Sequence, residues 1–264
     1  ATNTAVGQNS LHSNTTASDN TAVGSNALYA NTTGASNTAV GKIALCANTT
    51  GGFNTSIGSC SLNANQTGAS NVALGFRSLK LNTASNNTAI GKDALQSNTS
   101  GSCNTAVGTA SLDANQTGTC NVAVGFCALK TQTAANQNTA IGTLSMAATT
   151  SGIRNVAVGR QSMCANTTGC CNVAMGSNAL ASGTTGDFNV AVGGAALGSV
   201  NTGNCNTAIG ACAMNTNTSG ANNTAVGKDA LLANTTGASN VAVGKQALTT
   251  NTTGSNNVAI GCCA

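Results

Sequence analysis

The sequence predicts an all-β chain: a parallel β-solenoid (β-roll) of about sixteen 17-residue coils, with two short strands per coil. Three observations predict it. First, a glycine that closes an Ala-aliphatic-Gly segment returns at Gly7, Gly24, Gly41, Gly58, Gly75, Gly91, Gly108, Gly125, Gly142, Gly159, Gly176, Gly193, Gly210, Gly227, Gly244 and Gly261, always 17 residues apart except for the 16 between Gly75 and Gly91. Second, the unit N-[TV]-A-[VIL]-G-x-x-[AS]-[LM]-x-x-N-[TQ]-T-G-x-x is too short for a helical hairpin repeat, which needs over about 30 residues, and its Gly, Asn and Thr content disfavours helix. Third, the 264 residues hold 32 Gly and no Pro, and only 5% are charged. Backbone pairing can therefore run without interruption.

N-[TV]-A-V-G alternates with period two and reads as the first strand. Its Thr/Val and Val/Ile columns then share one face, and its Ala column the other. [AS]-[LM] reads as a second short strand that sends one Leu or Met inward. N-T-T-G is turn chemistry: the Asn amide bonds its own backbone and Gly supplies positive φ. The residue missing between Gly75 and Gly91 falls in the loop Asn82–Asn87. Coils stacked at strand spacing would give a rod on the order of 75 Å.

Stacking predicts columns of identical residues. The Asn four places before each Gly never varies: Asn3, Asn20, Asn37, Asn54, Asn71, Asn87, Asn104, Asn121, Asn138, Asn155, Asn172, Asn189, Asn206, Asn223, Asn240 and Asn257. It is expected to be a structural ladder of turn formers, bonded amide to amide as in cross-β stacks.

With Thr/Val, Val/Ile and Leu inside, the core is thin. The Ala face would then suit close approach of a neighbouring backbone. In the alternative arrangement Ala lines a narrow interior and Val meets the partner. Both arrangements predict self-association, as a homo-oligomer or a filament. The repeat runs from Ala1 to Ala264, so the chain reads as one continuous repeat domain, 1–264, with no capping segments apparent. Solenoids ordinarily carry caps, so the expectation is either a segment of a longer protein or head-to-tail stacking.

N-V-A-V-G-x-x-A-L at Asn189–Leu197 and Asn240–Leu248 resembles the repeats of trimeric autotransporter adhesin heads. The whole unit, as in Asn223–Gly237, is similar to repeats of bacterial and phage tail-fibre-like proteins. The resemblance covers essentially the entire chain. It implies a β-roll, commonly trimeric, on a cell or virion surface.

Twelve cysteines occupy variable positions: Cys46, Cys60, Cys103, Cys120, Cys127, Cys164, Cys170, Cys171, Cys205, Cys212, Cys262 and Cys263. Cys103 and Cys120 fall one above the other in adjacent coils. Cys120/Cys127 and Cys205/Cys212 repeat a same-coil relation. The even count and the stacking suggest disulfide staples in an oxidising, extracellular setting. Free thiols and metal ligation are the alternatives, the latter weak because no C-x-x-C pair occurs and His12 stands alone.

Function classes narrow accordingly. The acids are Asp19, Asp93, Asp113, Asp187 and Asp229, too scattered for the paired carboxylates that glycosidase chemistry requires to be expected. No catalytic, cofactor-binding or metal site is expected, and no enzyme. Nine Lys and Arg with five aromatics do not build a nucleic-acid surface. No run of about 20 apolar residues suggests a membrane span. Lys42, Lys92, Arg160, Lys228 and Lys245 each follow a repeat Gly; they read as a solvated edge, or as a sparse stripe for anionic surface glycans. The Asn-x-Ser/Thr triplets at Asn31, Asn48, Asn65, Asn166, Asn234 and Asn251 would accept glycans only in a secretory eukaryotic host. The leading expectation is a structural subunit of an extracellular fibre or filament that associates laterally or head to tail, with adhesion as a further use. A receptor-binding or adhesin head or a tail-fibre segment is the alternative, and an ice-binding protein a more distant one.

Overall fold

A computed structural model describes residues 2–199 and 201–264. By contacts the chain divides into two compact units, Ala1–Ala135 and Asn136–Ala264. In the first, eight three-residue strands pair in parallel: β1 (Thr4–Val6), β2 (Thr21–Val23), β3 (Thr38–Val40), β4 (Thr55–Ile57), β5 (Val72–Leu74), β6 (Thr88–Ile90), β7 (Thr105–Val107) and β8 (Val122–Val124). In the second, eight more do the same: β9 (Thr139–Ile141), β10 (Val156–Val158), β11 (Val173–Met175), β12 (Val190–Val192), β13 (Thr207–Ile209), β14 (Thr224–Val226), β15 (Val241–Val243) and β16 (Val258–Ile260). Each unit is a β-solenoid of stacked coils, and no helix occurs among the described residues.

Register follows the repeat. Ala22 lies against Ala39 and Val23 against Val40, and this match of like with like continues through each unit. The 16-residue coil does not disturb it: Ala73 still faces Ala89, so the deletion is absorbed outside the strands.

The second strand expected at [AS]-[LM] is a turn stretch instead. The repeat glycines sit at φ near +130°, for example Gly41 at +136°. A Cβ on Gly41 would lie 2.7 Å from the carbonyl carbon of Gly58 in the next coil, so glycine is required by both torsion and contact. The chain then reverses. The Ala27 N–H bonds the Gly24 carbonyl at 3.2 Å and the Asn31 N–H bonds the Leu28 carbonyl at 3.3 Å. The residue two places after each Gly and the Leu or Met four places after it adopt left-handed torsions, such as Asn26 at +56° and Leu28 at +51°. A left-handed leucine is uncommon. It persists because its backbone still ladders, with the Leu28 N–H bonding the Ala44 carbonyl at 3.1 Å, and because its side chain is fully buried.

The strand faces are also settled. Ala22, Ala39, Ala73, Ala89 and their equivalents between the first and last strands have no exposed surface, whereas the flanking Thr/Val and Val/Ile columns point outward, half-buried or exposed. This reverses the inside-out arrangement with Val in the core and matches the alternative with Ala lining the interior. The reason is space. A core made of a Leu/Met column, two columns of Ala or Ser and buried Asn leaves no room for Val. Ser56, which stands where Ala is otherwise invariant, compensates locally. Its Oγ lies 2.5 Å from Ser61 Oγ and 3.0 Å from the Ser61 carbonyl oxygen.

Candidate functional site

Two polar ladders and one apolar face carry the distinctive chemistry of each unit. The invariant Asn column is buried apart from the half-buried Asn3 and Asn257. Each side chain does two jobs. Asn37 accepts the Asn54 N–H on its Oδ1 at 2.9 Å, and its Nδ2 donates to the Gly51 carbonyl at 2.9 Å. The expected amide-to-amide bond is present as an addition in several coils, as from Asn71 to Asn54 at 3.1 Å. The principal bond runs from backbone to side chain, one coil to the next.

A second buried Asn ladder was not foreseen as a ladder. The Asn of N-T-T-G donates to its own glycine carbonyl, as expected of turn chemistry, with Asn48 to Gly51 at 2.9 Å. It also donates amide to amide across coils, Asn48 to Asn31 at 2.8 Å and Asn65 to Asn48 at 2.9 Å. The signal for it was in the sequence: the residue recurs in stacked register. The Thr that follows turns its hydroxyl to the backbone, Thr32 Oγ1 donating to the Thr49 carbonyl at 3.0 Å. The second Thr, as at Thr33 and Thr50, stands exposed, and in some coils, as at Thr15 and Thr99, so does the first.

The outward strand face is a regular surface feature of each unit. Thr38, Val40, Thr55, Ile57, Val72 and Leu74 carry it through β3, β4 and β5, and Val190, Val192, Thr207, Ile209, Thr224 and Val226 through β12, β13 and β14. No charged residue occurs in either column. Leu74, Met175 and Ile209 are more than two-fifths exposed.

All twelve cysteines stand as free thiols with no pair at bonding distance, so the expected disulfide staples find no support in the structure. Cys103 and Cys120 do stack and are exposed, but in-register coils hold equivalent atoms at about 4.8 Å, whereas a disulfide wants Cβ atoms about 3.5–4.5 Å apart. In Cys120/Cys127 and Cys205/Cys212 a whole strand lies between the partners. Burial raises Cys46 and Cys164 above the ordinary thiol pKa. No group of three or more potential metal-ligating side chains is gathered among the described residues.

Charges pair locally. Arg77 donates to both carboxylate oxygens of Asp93 in the next coil, at 2.7 and 3.0 Å. Lys92 and Lys228 approach the neighbouring Asp93 and Asp229 at 4.0 and 3.8 Å. Hydrogen bonds from the Thr2 and Ser18 hydroxyls lower the Asp19 pKa. Burial raises that of Asp113, with Asp93 adding to the shift.

No protein-family model and no curated protein matches the chain. What the chain is shown to be is a tandem-repeat parallel β-solenoid, with no helix long and apolar enough to cross a membrane among its described residues.

Proposed function

We propose that the protein is a structural segment of an extracellular fibre, assembled by lateral self-association along its outward strand face. The observation that carries this reading is the pair of uncharged Thr/Val and Val/Ile columns that every coil presents to solvent. Exposed apolar surface of this regularity marks an interaction site. A second copy bears the same pattern at the same coil spacing, so it supplies a complementary sheet face. Each coil adds a strip of about 50 Å², from about 4.8 Å of rise and roughly 10 Å of strand. The eight strips of each unit therefore come to about 400 Å², half of the roughly 800 Å² per partner of a stable interface, so both units contribute to association. The number of repeats thus sets the strength of association. Adhesion or receptor binding, as the likeness to adhesin heads and tail fibres implies, would be added to this framework.

The test is sedimentation together with electron microscopy of the chain and of a variant carrying Val107→Lys, Val124→Lys, Val226→Lys and Val243→Lys. The four positions face outward, so the fold tolerates them. The wild type is expected to form oligomers or bundles and the variant to be monomeric with an unchanged circular dichroism spectrum. A wild type that stays monomeric at high concentration, or a variant that associates equally well, refutes the reading.

One observation favours a second reading. Thr and Val stand in flat ranks, spaced by one coil in one direction and two strand residues in the other, as a face that orders water for ice binding would be. Thermal hysteresis in the wild type that the Lys variant lacks would establish it.

A further inference from the structure

The corner after each repeat glycine brings two successive side chains together. The residue two places after the Gly is left-handed in each case: Cys60 at +60°, Asp93 at +57°, Asp229 at +57° and Cys263 at +58°. That torsion swings its side chain toward the residue before it. Ser59 Oγ lies 3.6 Å from Cys60 Sγ, and Lys92 and Lys228 meet Asp93 and Asp229 as described. Where both positions are cysteine, the same geometry sets Cys262 Sγ 3.4 Å from Cys263 Sγ, both exposed. The same approach thus appears at four corners, those of Cys60, Asp93, Asp229 and Cys263.

The spacing has chemical meaning. With metal–thiolate bonds of about 2.3 Å, two sulfurs 3.4 Å apart subtend roughly 95° at a shared centre. That is about half of what linear two-coordination needs, and narrower than tetrahedral. It fits a trigonal-pyramidal thiophilic centre, whose bond angles lie near a right angle. The one other vicinal pair does not converge. Cys170 Sγ is turned to the Thr168 carbonyl at 3.2 Å and accepts the Ile153 N–H at 3.4 Å.

We infer that Cys262 and Cys263 form a dithiol chelate site for a trivalent, pyramidal thiophilic ion of the arsenic(III) class. Gln246 Oε1 accepts from Cys263 Sγ at 3.6 Å and Lys245 lies one coil before Cys262, so the thiols are held at a polar, cationic edge. The hydrogen bond shared with Cys262 raises Cys263 above its ordinary thiol pKa. With an organoarsenic(III) oxide the step is a condensation. Two As–S bonds form and the arsenic–oxygen bond breaks. Both thiol protons leave with that oxygen as one water, and nothing is oxidised or reduced.

The probe is phenylarsine oxide, added to the fully reduced chain and followed by intact mass after a wash with excess monothiol, which strips arsenic held by single cysteines. One equivalent is expected to survive the wash. Cys262→Ser and Cys263→Ser should each retain none, while Cys170→Ser and Cys171→Ser should each retain one. Serine already occupies the Cys262 register at Ser25, Ser59 and Ser177, so the fold tolerates it. No retained equivalent in the wild type, undiminished retention in Cys262→Ser, or loss only in the Cys170 or Cys171 variants overturns the assignment.

Discussion

Three substitutions in the second unit, each Asn→Ala, separate the parts played by the two Asn ladders. The measure is how many buried backbone groups each leaves without a partner. In Asn172→Ala two are lost. The Asn189 N–H gives up its 2.8 Å bond to Asn172 Oδ1, and the Gly186 carbonyl gives up the 2.8 Å donation from Asn172 Nδ2. No second Asn serves that carbonyl, because Gly183 stands where the N-T-T-G asparagine would be. In Asn206→Ala one is lost, the Asn223 N–H; the Gly220 carbonyl keeps Asn217 as donor at 2.9 Å. In Asn217→Ala none is lost, since Gly220 keeps Asn206 at 2.9 Å and Asn234 keeps Gly237 at 3.0 Å. A buried unsatisfied group costs about 1–3 kcal/mol and a net hydrogen bond about 0.5–1.5 kcal/mol. The expected destabilisations are therefore about 2–6 kcal/mol for Asn172→Ala, about 1–3 kcal/mol for Asn206→Ala and about 1 kcal/mol for Asn217→Ala. Guanidinium midpoints give the order. Because stacked repeats open locally, amide hydrogen exchange gives the location: faster at residue 189 in the first variant and at residue 223 in the second. Equal destabilisation in all three, or the largest effect from Asn217→Ala, would refute the assignment of roles.

Gly176→Ala should destabilise by more than the roughly 1–3 kcal/mol of a strained backbone, because φ is +134° and the new Cβ would lie 2.7 Å from the Gly193 carbonyl carbon; a neutral thermal melt would contradict this. Asp113→Asn should stabilise at neutral pH. Burial raises the folded-state pKa, so the carboxyl favours folding below the ordinary carboxylate value and loses that advantage as pH rises through the raised one. The gain should vanish in acid, and a loss at neutral pH would count against it. Reductant should leave the intact mass unchanged with all twelve thiols titratable after denaturation; a mass rise in steps of two protons would reveal disulfides.

The repeat, its parallel stacking and the invariant Asn column were legible because stacking converts a one-dimensional period into columns. The strand orientation was legible too, though harder to read. An interior position tolerates one size, and the inward column is Ala in all copies but Ser56. An outward position tolerates several, and its neighbour ranges over Val, Ile, Leu74 and Met175. The turn at [AS]-[LM] was hidden because leucine seldom takes left-handed torsions. Its trace is that the column holds only Leu or Met, long side chains of one size that fill one buried slot in coil after coil. Disulfide connectivity could not be read at all: column sharing specifies adjacency, whereas bonding depends on fractions of an ångström between Cβ atoms.

Like-on-like stacking also has a cost during folding. A coil that meets the wrong neighbour, displaced by one whole repeat, finds nearly the same Ala, Asn and Leu columns waiting for it. Slippage by seventeen residues forfeits little energy, and the shared columns cannot correct it. Discrimination falls to the irregular positions. The 16-residue coil between Gly75 and Gly91 fits one place only, and the bidentate Arg77–Asp93 bond that spans the same step is lost in any shifted alignment. The departures from the repeat therefore act as an address system, and a chain made perfectly uniform would be expected to fold into a mixture of offset stacks.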